Sequence, residues 1–257
     1  MKKLILDTLF PISCLGCETH ETWLCEKCFS TIEVPDRQIC PLCENVLTPQ
    51  GKICTSCQKR QKSFLDCLIV AASYENSLIK QMIHALKYRF IENLAEPLAK
   101  LLLKSLLQNE IPLPDCIIPV PLHPRRLRWR GFNQSLLLAQ KISEDLTPLM
   151  KIEILEILER RKYNRPQMEI KKYQDRLDNV KGIFRLKDEP RTTASQLWPP
   201  VVRGESPDLK NKIILLLDDI ATTGATLEEC ARTLKEKGAK KIYAAVVARQ
   251  TIKKYNF

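Results

Sequence analysis

Eight of the chain's 11 cysteines sit in four C-x-x-C pairs: Cys14/Cys17, Cys25/Cys28, Cys40/Cys43 and Cys54/Cys57. A two-residue gap lets both thiolates of a tight turn point at one metal ion, and four thiolates close a tetrahedral zinc shell. Four such pairs between positions 14 and 57 predict two four-cysteine zinc sites. Spacing alone leaves sequential and interleaved pairings open; the sequential one is the expectation. A disulfide framework is the competing reading, and no secretory signal supports it. No ligand position looks open, so the zinc is structural. The module has few apolar residues, and metal must supply much of its stability. Cys67, Cys116 and Cys230 lie in apolar periodic stretches and read as buried packing residues.

The 257 residues then divide at about position 60. Residues 1–60 form the cysteine-rich unit, and 61–257 are long enough for one medium domain. The start, "MKKLILDTLFPISC", has a Lys pair and a short apolar run, but Asp7 interrupts it and no small-residue cleavage site follows. It reads as a short amphipathic helix. No run of about 18 apolar residues occurs, so no membrane span is expected. Together with the thiol-rich composition, this makes a reducing, cytoplasmic location the expectation. The net charge of +11 hints at polyanionic partners and says nothing about fold.

Beyond position 60 strand and helix patterns alternate. Strands are expected at 64–74, 115–122, 152–158, 182–186, 212–217 and 241–248. Helices are expected at 76–90 behind an Asn76 cap, at 94–108, at 133–146 behind Asn133, and from 226 to a stop at Gly238. This alternation implies an α/β fold with a mostly parallel sheet covered on both faces. The stretch 187–211 holds four prolines and no periodicity, and reads as a long loop.

The segment "IILLLDDIATTGATLEEC" from 213 carries the chemistry. An apolar strand runs into Asp218 and Asp219, at the sheet edge where open α/β folds bind ligands. The loop that follows turns directly into a helix N-terminus, whose free N–H groups and dipole favour an anion. Thr222, Thr223 and Thr226 add hydroxyls, and Gly224 lets the backbone approach closely. Phosphate therefore belongs in the loop. Two carboxylates beside it suit a vicinal diol or a hydrated Mg²⁺. A phosphorylated sugar meets both demands. None of the seven glycines begins a G-x-x-x-x-G-K-[ST] loop, which argues against a P-loop nucleotidase.

Two further stretches are basic with interleaved aromatics. "HPRRLRWRGF" at 123–132 places Arg125, Arg126, Arg128 and Arg130 around Trp129. "RRKYNRPQMEIKKYQDR" at 160–176 begins with Arg160, Arg161 and Lys162 and continues through Arg165. Charge that follows phosphates and rings that stack bases suit single-stranded DNA. The competing reading gives these arginines to a pyrophosphate and Trp129 to the core.

"ILLLDDIATTGATL" resembles the phosphoribosyl pyrophosphate (PRPP) binding motif of type I phosphoribosyltransferases. With "IPVPLHPRRLRWRGFNQSLLLA" at 118–139 and "RRKYNRPQM…RLDNVKGIF" at 160–184, the chain resembles the ComF family over nearly its whole length. That family carries a zinc module before a phosphoribosyltransferase domain. The resemblance implies handling of DNA taken up in natural transformation, with other DNA-uptake proteins, such as a helicase, as partners. It implies that Asp218 and Asp219 bind ribose hydroxyls, and that Thr222, Thr223, Gly224, Ala225 and Thr226 bind the 5-phosphate. Pro121, Leu122 and His123 become the pyrophosphate-facing loop, 160–176 a flap, and Mg²⁺ a companion of PRPP. Ile183 stands where the family has a small residue. Three classes of function fit these features: a working transferase on an unidentified acceptor, a PRPP-binding module, and a handler of single-stranded DNA.

Elemental analysis of reduced, purified protein should give about two zinc ions per chain. A content near zero would exclude the four-thiolate sites.

Overall fold

The computed structural model describes residues 12–147, 152–162, 180–192 and 207–250. The amphipathic start over 1–11, Arg165 with the flap stretch from 163, and 193–206 of the expected loop lie outside the described residues.

The N-terminal module contains α1 (Glu26–Ser30), β1 (Gln38–Ile39), β2 (Leu47–Thr48) and α2 (Thr55–Arg60). It is two copies of one device. In each, the first cysteine of the second pair sits at the N-cap of a short helix that carries the other cysteine: Cys25 for α1 and Cys54 for α2. In each, that N-cap cysteine's backbone N–H donates to the first thiol of the set, Cys25 to Cys14 at 3.3 Å and Cys54 to Cys40 at 3.4 Å. The sulfurs of Cys14, Cys17, Cys25 and Cys28 lie within 4.8 Å of one another, and so do those of Cys40, Cys43, Cys54 and Cys57. The pairing is therefore sequential.

The second domain runs β3 (Cys67–Ser73), α3 (Ser77–Tyr88), α4 (Ala95–Gln108), β4 (Cys116–Pro119), α5 (Pro124–Arg130), α6 (Gln134–Leu146), β5 (Glu153–Arg160), β6 (Phe184–Thr192), β7 (Ile213–Ala221), α7 (Ala225–Lys235) and β8 (Lys241–Arg249). Asn76 caps α3 and Asn133 caps α6, each accepting backbone N–H groups on its side-chain oxygen. The sheet order is β3-β8-β7-β4-β5-β6. Five strands are parallel, and β6 alone runs antiparallel, against β5. Along β7 the side chains alternate between two cores. Leu215 and Leu217 join Met82, Leu98, Leu102 and Leu138 of α3, α4 and α6 on one face. Ile214 and Leu216 join Leu227, Cys230 and Leu234 of α7 on the other. Period-two strands buried on both faces read as the continuous apolar run seen in the sequence. Cys67, Cys116 and Cys230 are buried in this packing.

Three expectations are corrected. The stretch read as a loop from 187 begins as strand: β6 continues to Thr192, with Leu155 opposite Thr192 and Glu156 opposite Arg191. Without it β5 would be an edge with unpaired backbone groups. β7 does not stop at 217 but continues through the aspartates to Ala221, because β8 runs alongside and pairs Asp218 with Val246 and Ala221 with Arg249. Residues 124–130, to which the sequence pattern assigned neither strand nor helix, form the helix α5.

The second zinc set is fastened to the sheet. The Gln38 side chain accepts from Val70 N at 2.9 Å and donates to Val70 O at 3.2 Å, pairing with the outer edge of β3 as one peptide of a neighbouring strand would. Buried Arg249 donates to Pro41 O at 2.7 Å and pairs at 3.0 Å with Glu44, whose side chain is 8% exposed, within the Cys40–Cys43 knuckle and just after it.

Candidate ligand site

The site follows from strand order. β4 and β7 are neighbours, and the chain leaves them toward opposite faces: through α6 on one side and α7 on the other. A crevice opens at such a switch point, beyond the carboxyl ends of the strands. β4 ends at Pro119, opposite Leu217, so the next residues of β7 are flanked by strand on one side only. Those residues are Asp218 and Asp219.

A cavity of about 140 Å³ lies there. Asp218, Asp219, Thr222 and Thr226 form one wall, and Pro121 and Leu122 a second. Lys87, Arg126, Arg130 and Arg160 supply cations, with Tyr88 and Gln134 beside them. Asp219 is 2% exposed. Its Oδ1 accepts from Gln134 Nε2 at 3.1 Å, and its Oδ2 forms an ion pair with Lys87. Asp218 Oδ1 accepts from Ser135 Oγ at 2.9 Å and from Asp219 N at 2.9 Å. Burial and then the Asp219 charge push the Asp218 carboxyl up to about 7. Burial acts on Asp219 too, but the Lys87 ammonium outweighs it and holds Asp219 below the usual carboxylate range. One carboxylate is thus fixed as an anion and its neighbour is poised near neutrality.

The glycine of the loop is required by backbone conformation. Gly224 holds φ +77° as the N-cap of α7, a left-handed value that a side chain disfavours, while the space around it is open. Thr223 Oγ accepts from Ala225 N at 3.2 Å, so this threonine caps the helix. Of the loop's threonines, Thr222 and Thr226 line the cavity.

Helix α5 sorts the arginines. Pro124 at its first turn and Gly131 at φ +86° after its last residue bound it. Arg126 and Arg130, four residues apart, share the face that lines the cavity. Arg125 and Arg128 are exposed, and so is Trp129 at 59%. Trp129 is therefore not a core residue. Arg130 is buried, donates to Gln134 and keeps a buried Nε with no partner among the described residues. Arg160, over the Phe184 ring at 5.8 Å, keeps a buried Nε in the same condition. Burial lowers the pKa of both guanidiniums, which remain charged near neutrality. Arg161 and Lys162 are exposed, and Arg161 pairs with Glu159 at 3.1 Å. His123 does not line the cavity. Its Nδ1 accepts from Arg125 N at 3.1 Å as the N-cap of α5, and burial with the charges of Arg160 and Arg125 lowers its pKa. It serves as a neutral helix cap.

Sequence reasoning missed Lys87, Tyr88, Gln134 and Ser135. The Pro124/Gly131 bracket was a legible sign of α5, and helical spacing would then have paired Arg126 with Arg130. Nothing local marked Lys87, the last-turn lysine of an ordinary amphipathic helix.

Fold and cysteine sets together define a class, a phosphoribosyltransferase-type α/β domain behind a pair of zinc ribbons. Residues 133–256 match the phosphoribosyl transferase domain family, and residues 5–58 match the double zinc ribbon domain family. Competence protein F of Haemophilus influenzae is 28% identical over 250 residues, covering 93% of this chain and 98% of that protein. DNA utilization protein YhgH of Escherichia coli K12 is 30% identical over 220 residues, covering 84% of this chain and 86% of that protein. Competence protein ComFC of Bacillus subtilis is 26% identical over 233 residues, covering 84% and 79%. The chain belongs to the ComF family. Among the described residues no helix is long and apolar enough to cross a membrane.

The raised Asp218 fixes a pH signature. A carboxyl with a raised folded pKa binds more protons folded than unfolded, so it lowers stability as pH rises from about 4 to its folded value of about 7. Asp218→Asn should match the parent at pH 4 and exceed it by about 4 kcal/mol at pH 8 in urea unfolding. A difference that is flat with pH would place Asp218 in an ordinary, fully ionised setting.

Proposed function

We propose that the cavity at the β4/β7 switch point binds PRPP with Mg²⁺, and that the outer face of α5 handles single-stranded DNA. One observation carries the first half. An acidic pair, two loop threonines and three guanidiniums meet around one cavity at a helix N-terminus. The carboxylates suit the ribose hydroxyls, with Asp219 held ionised as an acceptor. Thr222, Thr223, Gly224, Ala225 and Thr226 receive the 5-phosphate. Arg126, Arg130 and Arg160 face the pyrophosphate beside Pro121 and Leu122, and the Nε groups of Arg130 and Arg160 remain as donors for its oxygens. Mg²⁺ on the pyrophosphate supplies further charge neutralisation. The zinc module over 1–60 is a structural appendage to the ligand-binding domain over 61–257.

The second half rests on the exposed side of α5. Trp129 packs with Tyr88 and Phe90, at centroid distances of 6.1 and 5.3 Å, and all three rings are exposed beside Arg125 and Arg128. Flat rings with exposed guanidiniums suit a single strand. Relatives named for competence and for DNA utilization support this reading. Other proteins of DNA uptake, a helicase among them, and a location in the cytoplasm complete it.

A transferase reading is favoured by a second cavity of about 600 Å³ that shares Pro121, Leu122 and Arg160 with the first. Leu127, Phe132 and Leu136 line it, and it has room for an acceptor. PRPP-dependent release of pyrophosphate, with and without DNA, decides between turnover and binding alone.

PRPP with Mg²⁺ should raise the melting temperature, by roughly 2.7 kcal/mol of stabilisation at a hundredfold excess over Kd. Asp218→Asn/Asp219→Asn should abolish the shift, and an unchanged shift in that variant would mean a different pocket. In fluorescence anisotropy, a labelled single strand should bind with a salt slope of about −0.7 per phosphate contacted. Arg125→Ala/Arg128→Ala should flatten that slope, whereas Trp129→Ala should weaken affinity at constant slope. Parental binding by the arginine variant at every salt concentration would move the DNA surface elsewhere.

A further inference from the structure

Lys87 reaches the acidic pair from outside its own sequence neighbourhood. It sits in the last turn of α3, where the helix dipole favours a cation. Its ammonium pairs with Asp219 Oδ2, and the two side chains are 16% and 3% exposed. The other carboxylate oxygen, Oδ1, is taken by Gln134. Oδ2 is therefore the point at which any incoming donor or cation meets Lys87.

We propose that Lys87 is a tethered cation that competes with a divalent metal ion or sugar diol for Asp219 and, once displaced, carries its ammonium onto the phosphates of the ligand. This rests on the phosphoribosyl reading of the cavity given above. A lysine is a compact point charge on a flexible four-carbon stem, so it can leave Asp219 with no movement of α3. The guanidiniums are held more firmly, Arg130 by Gln134 and Arg160 by stacking on Phe184.

Displacement has an electrostatic condition. An ammonium driven off Asp219 finds Arg126, Arg130 and Arg160 lining the same cavity. On the remaining carboxylate, Asp218, Oδ1 already accepts from Ser135 and from the Asp219 backbone. A free metal ion must therefore expel Lys87 into a field of like charge. A metal ion that arrives with a pyrophosphate brings the anion that receives the ammonium. The cavity then rejects bare divalent cations and accepts the metal–phosphate complex, and Lys87 is the residue that makes this distinction.

The test needs no phosphosugar in its first arm. Mn²⁺ is titrated into the zinc-loaded full chain, and free ion is read by electron paramagnetic resonance. The parent should bind Mn²⁺ weakly. Lys87→Met should bind it about tenfold more tightly or better, because a like charge has left the site. Lys87→Arg should stay with the parent, and Lys87→Met/Asp219→Asn should lose the gain. Equal Mn²⁺ affinity in parent and Lys87→Met overturns the proposal, and so does a gain that survives Asp219→Asn. In the second arm PRPP with Mg²⁺ should raise the melting temperature of Lys87→Met less than that of the parent. An equal shift overturns the transfer of the ammonium to the ligand. If PRPP stabilises neither protein, the phosphoribosyl reading fails while the Mn²⁺ arm still reports on Lys87 and Asp219.

Discussion

Two adjacent carboxylates are buried on the central strand of a sheet whose faces are both covered by apolar side chains. Removing a charge from water costs several kcal/mol unless partners meet it. The surroundings of Asp218 and Asp219 are those partners. Lys87 comes from the end of α3, Gln134 and Ser135 from the first turn of α6, and Arg130 from the end of α5. Two helices that are separate in sequence, α3 and α6, are thus tied to one strand by polar contacts as well as by apolar packing, and α5 joins them through Arg130 on Gln134. The site and the fold share a cause, since a sheet that switches sides at β4/β7 leaves a crevice in which this pair is both buried and reached.

Helix α5 links the cavity to the surface. It has seven residues, yet its two sides differ completely. Arg126 and Arg130 turn inward to the cavity, and Arg125, Arg128 and Trp129 turn outward. A stretch that reads as one basic patch in sequence is two surfaces with different ligands in prospect. Tyr88 belongs to both: its ring stands in the exposed aromatic cluster, and it lines the cavity beside Lys87.

The zinc ribbons give the chain what its small N-terminal core cannot. In each set the thiols crowd within one tetrahedral shell, and burial with neighbouring thiols pushes Cys57 up while backbone N–H groups hold Cys40 down against burial. Four thiols so placed cannot all ionise without a cation between them. The Glu44–Arg249 pair and the Gln38 contact then fix the second ribbon against β8 and β3.

Local patterns determined much of this protein. The C-x-x-C spacing set the ribbons, because a two-residue gap is a property of one turn. The apolar runs set the strands, the Asn76 and Asn133 caps set helix starts, and "DDIATTGAT" marked the edge where the cavity lies, because strand, loop and helix there are consecutive. What the tertiary structure decided is what depends on distance in sequence. Pairing with β8 carried β7 through its aspartates, and pairing with β5 drew residues 187–192 into β6. Lys87 found Asp219, 132 positions further along the chain, a contact no periodicity encodes. The arginines of α5 were visible as charge, but only the helix's seat beside the crevice determined which of them line the cavity and which face water.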